Sequence, residues 1–121
     1  MPRSLSVDSS IVTDVQLDED HNAGPQLRAA LHGDIELSKS PKVRQTLLEL
    51  VKTHKPVLLI LDLTDVPYMD SSGIAVLVEV LKALRENDGK MKLTGASKRV
   101  RGLLEISRLD SLFEIESAAE R

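Results

Sequence analysis

Leu58-Leu59-Ile60-Leu61-Asp62-Leu63-Thr64-Asp65-Val66-Pro67-Tyr68-Met69-Asp70-Ser71-Ser72-Gly73 is the stretch from which the rest of the chain can be read. From Val57 to Leu61 the residues are uninterruptedly aliphatic, a length that suits a strand buried on both sides or at a sheet centre, ending at Asp62. A short loop follows. From Ser72 to Glu86, Ile74, Leu77, Val78, Leu81 and Leu84 recur at helical spacing, and Asn87, Asp88 and Gly89 supply the stop. Two hydroxyls beside an acid therefore stand at a helix N-terminus, where free backbone N–H groups and the positive end of the dipole favour an anion. Either serine is thereby a candidate phosphate carrier. The same residues also suit plain capping, with Asp70 or a serine as N-cap and Gly73 allowing close packing, and spacing alone leaves both readings open.

Working outward, Ser40 and Pro41 read as N-cap and first helical position of a helix carrying Val43, Leu47, Leu48, Leu50 and Val51 to about His54. Pro56 ends it. Further back, Ile11 to Leu17 alternates, with Ile11, Thr13, Val15 and Leu17 expected on one face, and Asp18 to Pro25 suits a turn. Gln26 to Leu31 then returns as the second arm of a hairpin ending at Gly33, although Ala29 and Ala30 also suit a short helix. Beyond the central segment, Lys90 to Thr94 reads as a strand broken by Gly95. Ser97 caps a third helix with Val100, Leu103, Leu104 and Ile106, and Phe113 to Ile115 reads as a last strand. Strands alternating with helices predict an α/β fold of parallel, right-handed crossover units. Residues 1–10 read as a flexible lead and 11–121 as one domain.

A chain of 121 residues supports one core, and with 41% hydrophobic residues, one Tyr, one Phe and no Trp that core must be aliphatic. Without Cys there are neither disulfides nor thiolate metal ligands. No apolar run resembles a signal peptide or a membrane span of ~20 residues, so a cytoplasmic protein without membrane insertion is expected. The net charge of −3 is concentrated early, in Asp8, Asp14, Asp18, Glu19 and Asp20. The nearly neutral remainder, lacking aromatic platforms and a broad basic stripe, argues against direct nucleic-acid binding.

Conventional catalysis has little support. His21, His32 and His54 lack metal-motif spacing and read as surface histidines, and there is no nucleophile elbow, phosphate-binding loop or dinucleotide fingerprint. Asp62, Asp65 and Asp70 cluster after the central strand, where open α/β sheets place their sites; they could bind Mg²⁺ or cap turns and the following helix. Lys98, Arg99 and Arg101 read as a solvated helix face or a partner-facing basic rim.

Together these residues resemble the STAS family, named for sulfate transporters and anti-sigma factor antagonists, and in particular its stand-alone bacterial members. The resemblance spans roughly residues 26 to 115. Its most specific part is Met69, Asp70, Ser71, Ser72, Gly73 and Ile74 after the strand, supported by Gly33, Asp34, Ile35 and Glu36 with Pro41 and Arg44, by Gly89, by Ser97, Val100 and Leu103, and by Leu109 to Phe113. It implies a mixed sheet of four or five strands with helices largely on one face. It also implies an anti-sigma factor antagonist, a binding module and not an enzyme, with no catalytic residues, cofactor or metal of its own. Ser71 would be the phosphorylation site, with Asp70, Ser72 and Gly73 as its support and Asp34 and Glu36 as further partner contacts.

In that reading the unphosphorylated chain binds an anti-sigma factor that is also an ATP-dependent serine kinase, freeing a sigma factor, and a metal-dependent PP2C-type phosphatase reverses the modification. The chain would be a monomer or homodimer. The alternative is a constitutive STAS scaffold subunit of a lipid or anion transport complex or signalling assembly. Two features depart from the family pattern: Gly33, Asp34, Ile35, Glu36 exchanges the two acid lengths of the usual Gly-Glu-x-Asp, and the acidic extension through His21 is longer than a minimal member requires.

Overall fold

A computed structural model describes residues 1–19 and 22–117, so Asp20 and His21 of the acidic extension and residues 118–121 of the expected domain lie outside the described part. Strands β1 (Arg3–Ser4), β2 (Val12–Asp18), β3 (Gln26–His32), β4 (Leu58–Asp65), β5 (Lys90–Ala96) and β6 (Glu114–Ser117) form one sheet, in the spatial order of the chain. The first two neighbouring pairs are antiparallel and the remaining three parallel. Helices α1 (Ser40–His54), α2 (Ser71–Arg85) and α3 (Lys98–Ile106) make the crossovers. Each crossover steps the same way across the sheet, so right-handed connection puts all three helices on one face.

Burial follows that arrangement. Leu27, Leu59 and Met91 stand side by side in register and are buried, as are Leu31, Leu61, Leu63 and Leu93. Against them pack Val43, Leu47 and Val51 of α1, Ile74, Leu77 and Leu84 of α2, and Val100 and Leu104 of α3. Leu58 and Ile60 alternate to the other face and are half-buried, so β4 is a central strand covered by helices on one side only. That open face is polar, crossed by Lys92 donating to Glu116 at 2.8 Å.

Several expectations are corrected. The sheet has six strands, not four or five, because Arg3–Ser4 inside the 1–10 lead pairs with β2 at the edge. β4 does not stop at Asp62 but runs to Asp65, since Asp62 points to the open face while Leu63 remains in the core. β5 passes through Gly95, which takes φ +70°, and reaches Ala96. Ala29 and Ala30 lie in a strand, with no short helix there.

In β2 the alternation is broken by a bulge between Thr13 and Gln16 with Asp14 at φ +53°, so Val12, Val15 and Leu17 face the core while Ile11 and Thr13 do not become fully buried. Lys39 occupies the N-cap position of α1 without a side-chain cap; Ser40 is the first helical residue and its hydroxyl is used elsewhere. Ser97 caps α3 as expected, accepting from Val100 N at 3.1 Å.

Candidate functional site

The site is assembled where the loop after β4 meets the loop before α1. Ile35 bridges Met69 in parallel register, donating from its N–H to the Tyr68 carbonyl at 3.0 Å and accepting from Asp70 N at 3.1 Å. These bonds join residues 34–37 to residues 68–70. Asp34 and Glu36 flank the bridging Ile35; Asp34 is exposed, and the Glu36 carboxylate accepts from Ser38 Oγ. Leu37, the next residue, is 72% exposed, an apolar side chain held out to solvent.

Asp70 is the hinge of this arrangement. As N-cap of α2, its Oδ1 accepts from Ser72 N at 2.8 Å, Ser72 Oγ at 2.5 Å and Gly73 N at 3.2 Å. Its Oδ2 accepts from Leu37 N at 3.1 Å, tying the two loops together. The Ser72 hydroxyl bond above all, with the three backbone N–H groups, holds its carboxyl below the usual carboxylate range.

The two adjacent serines have opposite surroundings. Ser72 is half-buried, and its Oγ lies 2.6 Å from that of buried Ser40, which also donates to the Glu36 carbonyl at 3.0 Å. Ser71 is exposed and its side chain makes no hydrogen bond among the described residues. Gly73 is buried where a Cβ would overlap Met69 Cγ and come within 3.0 Å of the Ile35 carbonyl oxygen, so only glycine lets α2 start this close to the joined loops.

Beside Ser71 lies a groove of about 470 Å³, walled on one side by Tyr68 and Ser71 and on the other by Lys98, Arg99, Leu103 and Ile106 of α3. Ile106 is 83% exposed, and the Arg99 guanidinium carbon stands 4.7 Å from the centre of the Tyr68 ring. Of the basic tract, Lys98 and Arg99 line this groove while half-buried Arg101 does not. A larger depression of about 640 Å³, bordered by Arg85, Lys90 and Phe113, lies at the other end of the strands and holds none of the site residues.

The three aspartates are not gathered. Asp62 accepts from Thr64 N at 2.9 Å and Thr64 Oγ1 at 2.5 Å; its burial raises the carboxyl pKa, but those bonds outweigh it and leave the group below the usual range. Asp65 pairs with His32 Nδ1 at 3.0 Å, whose other ring nitrogen is 2.5 Å from Thr13 Oγ1. Each acid thus has its own partner, and among the described residues no three His, Asp or Glu are placed to hold a metal. His32 is half-buried between strands, unlike the solvated residue its spacing suggested.

The Ser40 to Ser72 link, the exposed Leu37 and the apposition of Tyr68 with Arg99 were not read from sequence. An apolar Leu inside the polar segment 36–40 was the available signal for the second; the other two depend on contacts between elements distant in sequence.

The STAS domain family model matches residues 17–120. The anti-sigma-B factor antagonist of Listeria monocytogenes is 38% identical over 85 residues, covering 70% of this chain and 74% of its own. That of Bacillus subtilis is 29% identical over 94 residues, covering 78% and 84%. Among solved structures, the anti-sigma factor antagonist SpoIIAA in its unphosphorylated form superposes with TM-score 0.70 at 20% identity, covering 88% of this chain and 89% of its own, a likeness of fold. Among the described residues no helix is long and apolar enough to cross a membrane.

Proposed function

We propose that this chain, which belongs to the STAS domain family, is an anti-sigma factor antagonist whose binding is switched off by phosphorylation of Ser71. The observation that carries the reading is the division of labour between neighbouring serines: Ser72 is bonded to Asp70 and Ser40, whereas Ser71 presents an unengaged, exposed hydroxyl at the start of α2. A kinase can reach only the second without dismantling the loop.

In this reading the partner is an anti-sigma factor with serine kinase activity. It transfers the terminal phosphoryl of ATP to Ser71 Oγ, takes up the hydroxyl proton and leaves with ADP; a PP2C-type phosphatase hydrolyses the ester. Residues 11–121 act as one cytoplasmic binding unit and contribute no catalytic group, with Leu37, Asp34 and Glu36 beside Ser71 on the docking face.

Magnitudes favour an effect on docking over an effect on folding. A phosphate adds about −1.5 to −2 charge. At a helix N-terminus that charge is favourable by about 0.3–1 kcal/mol, so α2 is not expected to unravel. Burying the same charge against a partner costs several kcal/mol unless the partner supplies cations.

Incubation with ATP and such a kinase, followed by intact mass analysis, tests this. One phosphate is expected, absent from Ser71→Ala, and capture of the anti-sigma factor is expected to be lost in Ser71→Asp. Equal capture by wild type and Ser71→Asp would overturn the switch.

A further inference from the structure

We propose that the phosphate on Ser71 is held within the molecule by Lys98 and Arg99, which close the groove across from it and cover Leu103 and Ile106. The inference rests on Ser71 as the phosphoacceptor and adds what the modified state looks like.

The two cations are unspent. Among the described residues neither Lys98 nor Arg99 pairs with a carboxylate, although both are exposed and share one groove with Ser71. Arg99 rests on the face of Tyr68, which precedes Ser71 by three residues, and is therefore already parked beside the phosphorylation site. Tyr68 is half-buried, and a guanidinium over its ring face is still held less strongly than one making paired hydrogen bonds to a phosphate, so the exchange of partners is favourable.

Space is available for it. Lys98, Gly102 and Ile106 follow each other at four-residue spacing along one face of α3, and at Gly102 nothing lies within 4 Å of where a Cβ would be. The glycine leaves a gap in the α3 wall into which a phosphate can fit. The one acid in the groove, Asp70, is turned to the α2 N-terminus and to Leu37 N by its hydrogen bonds, so its charge is partly satisfied before the phosphate arrives. Closure would remove from the docking face both the cations and the apolar side chains that the unmodified groove displays.

Phosphoserine introduced at position 71 by codon suppression makes the test independent of any kinase. Phosphorus NMR then follows the second ionisation of the phosphate in the wild type and in Lys98→Gln/Arg99→Gln. The clamp requires the wild-type midpoint to lie lower by roughly half to one unit, because the α2 N-terminus acts equally in both and only the cations differ. It also requires the Tyr68 ring resonances to move on modification as Arg99 leaves the ring, and not to move in Arg99→Gln.

Identical midpoints in the two proteins, with both giving folded spectra, would overturn the clamp; Lys98→Gln alone, expected midway, covers the case of a double variant that does not fold. Unmodified protein titrated with inorganic phosphate is expected to leave Tyr68 unmoved, and an equal movement would show a general anion site in place of an intramolecular one. If no kinase modifies Ser71, the mass analysis fails while this titration still gives its answer.

Discussion

Ser71 and Ser72 are neighbours of the same type, yet removing their hydroxyls will have different consequences because only one is bonded. Ser71→Ala takes away an exposed, unpartnered hydroxyl and is expected to change stability by less than about 0.5 kcal/mol. Ser72→Ala removes the donor to Asp70 and the neighbour of Ser40, with an expected loss of about 0.5–1.5 kcal/mol. Urea denaturation of the two variants checks the contrast; equal losses would mean that the Ser72 bonds do not hold the loop.

Asp70 adds a pH dependence of defined sign. Its native pKa is lowered, first by the Ser72 hydroxyl, so the unfolded chain binds this proton more tightly than the native state. The stabilisation is fully present above the unfolded value of about 3.9 and is lost as pH falls through the lower native value. The stability difference between wild type and Asp70→Asn should therefore be constant at neutral pH and shrink in acid below about pH 4. A difference unchanged down to the acid limit would remove the carboxylate from this role.

At the scale of elements, one misfit offers a stabilising substitution. Helix α1 is capped after His54 by Lys55 with φ +46° and ψ +55°, its N–H donating to the Val51 carbonyl at 2.8 Å, a left-handed cap in which glycine is the usual residue. A side chain in that conformation costs about 1–2 kcal/mol, while glycine gives back about 0.4–1 kcal/mol through the freer unfolded chain. Lys55→Gly should thus gain up to about 1 kcal/mol, read as a higher urea midpoint with an unchanged slope.

The same kind of backbone detail explains which elements were legible in the sequence. Helical spacing placed the end of α1 at His54 and both ends of α2 to within one residue, and Ser97 marked the start of α3, because each helix buries an apolar stripe against a sheet and the stripe is written in the residues. Strand ends were not legible where a backbone irregularity changes the pattern. The Asp14 bulge inverts the face of Val12, and Gly95 carries β5 onward where a glycine ordinarily stops a strand. At the site, Asp70, Ser71, Ser72 and Gly73 were visible as a capping pattern. Their attachment to Ile35, Leu37 and Ser40 was not, since it runs between loops more than thirty residues apart.

For the whole molecule, the order of the sheet sets a gradient of local stability. β4 is hydrogen-bonded on both sides, and its core residues Leu59, Leu61 and Leu63 are fully buried beneath the helices. β1 contributes two residues to one edge, and β6 four residues to the other. Amides of β4 can exchange only through near-global opening, whereas those of the edges need only local fraying. Hydrogen exchange should therefore be slowest at Leu59 to Leu63 and fastest in β1 and β6, and Leu61→Ala, expected to cost about 2–5 kcal/mol through its cavity, should accelerate the β4 amides by about the full loss of stability while hardly changing the edges. The Asp70 loop stands between these limits: it leaves the end of the most stable strand but is held by a small set of hydrogen bonds. Its amides should exchange faster than those of β4 and respond to Ser72→Ala more than β4 does. An equal response in both would mean that the loop opens only when the entire sheet does, and that a partner meets it as a rigid surface.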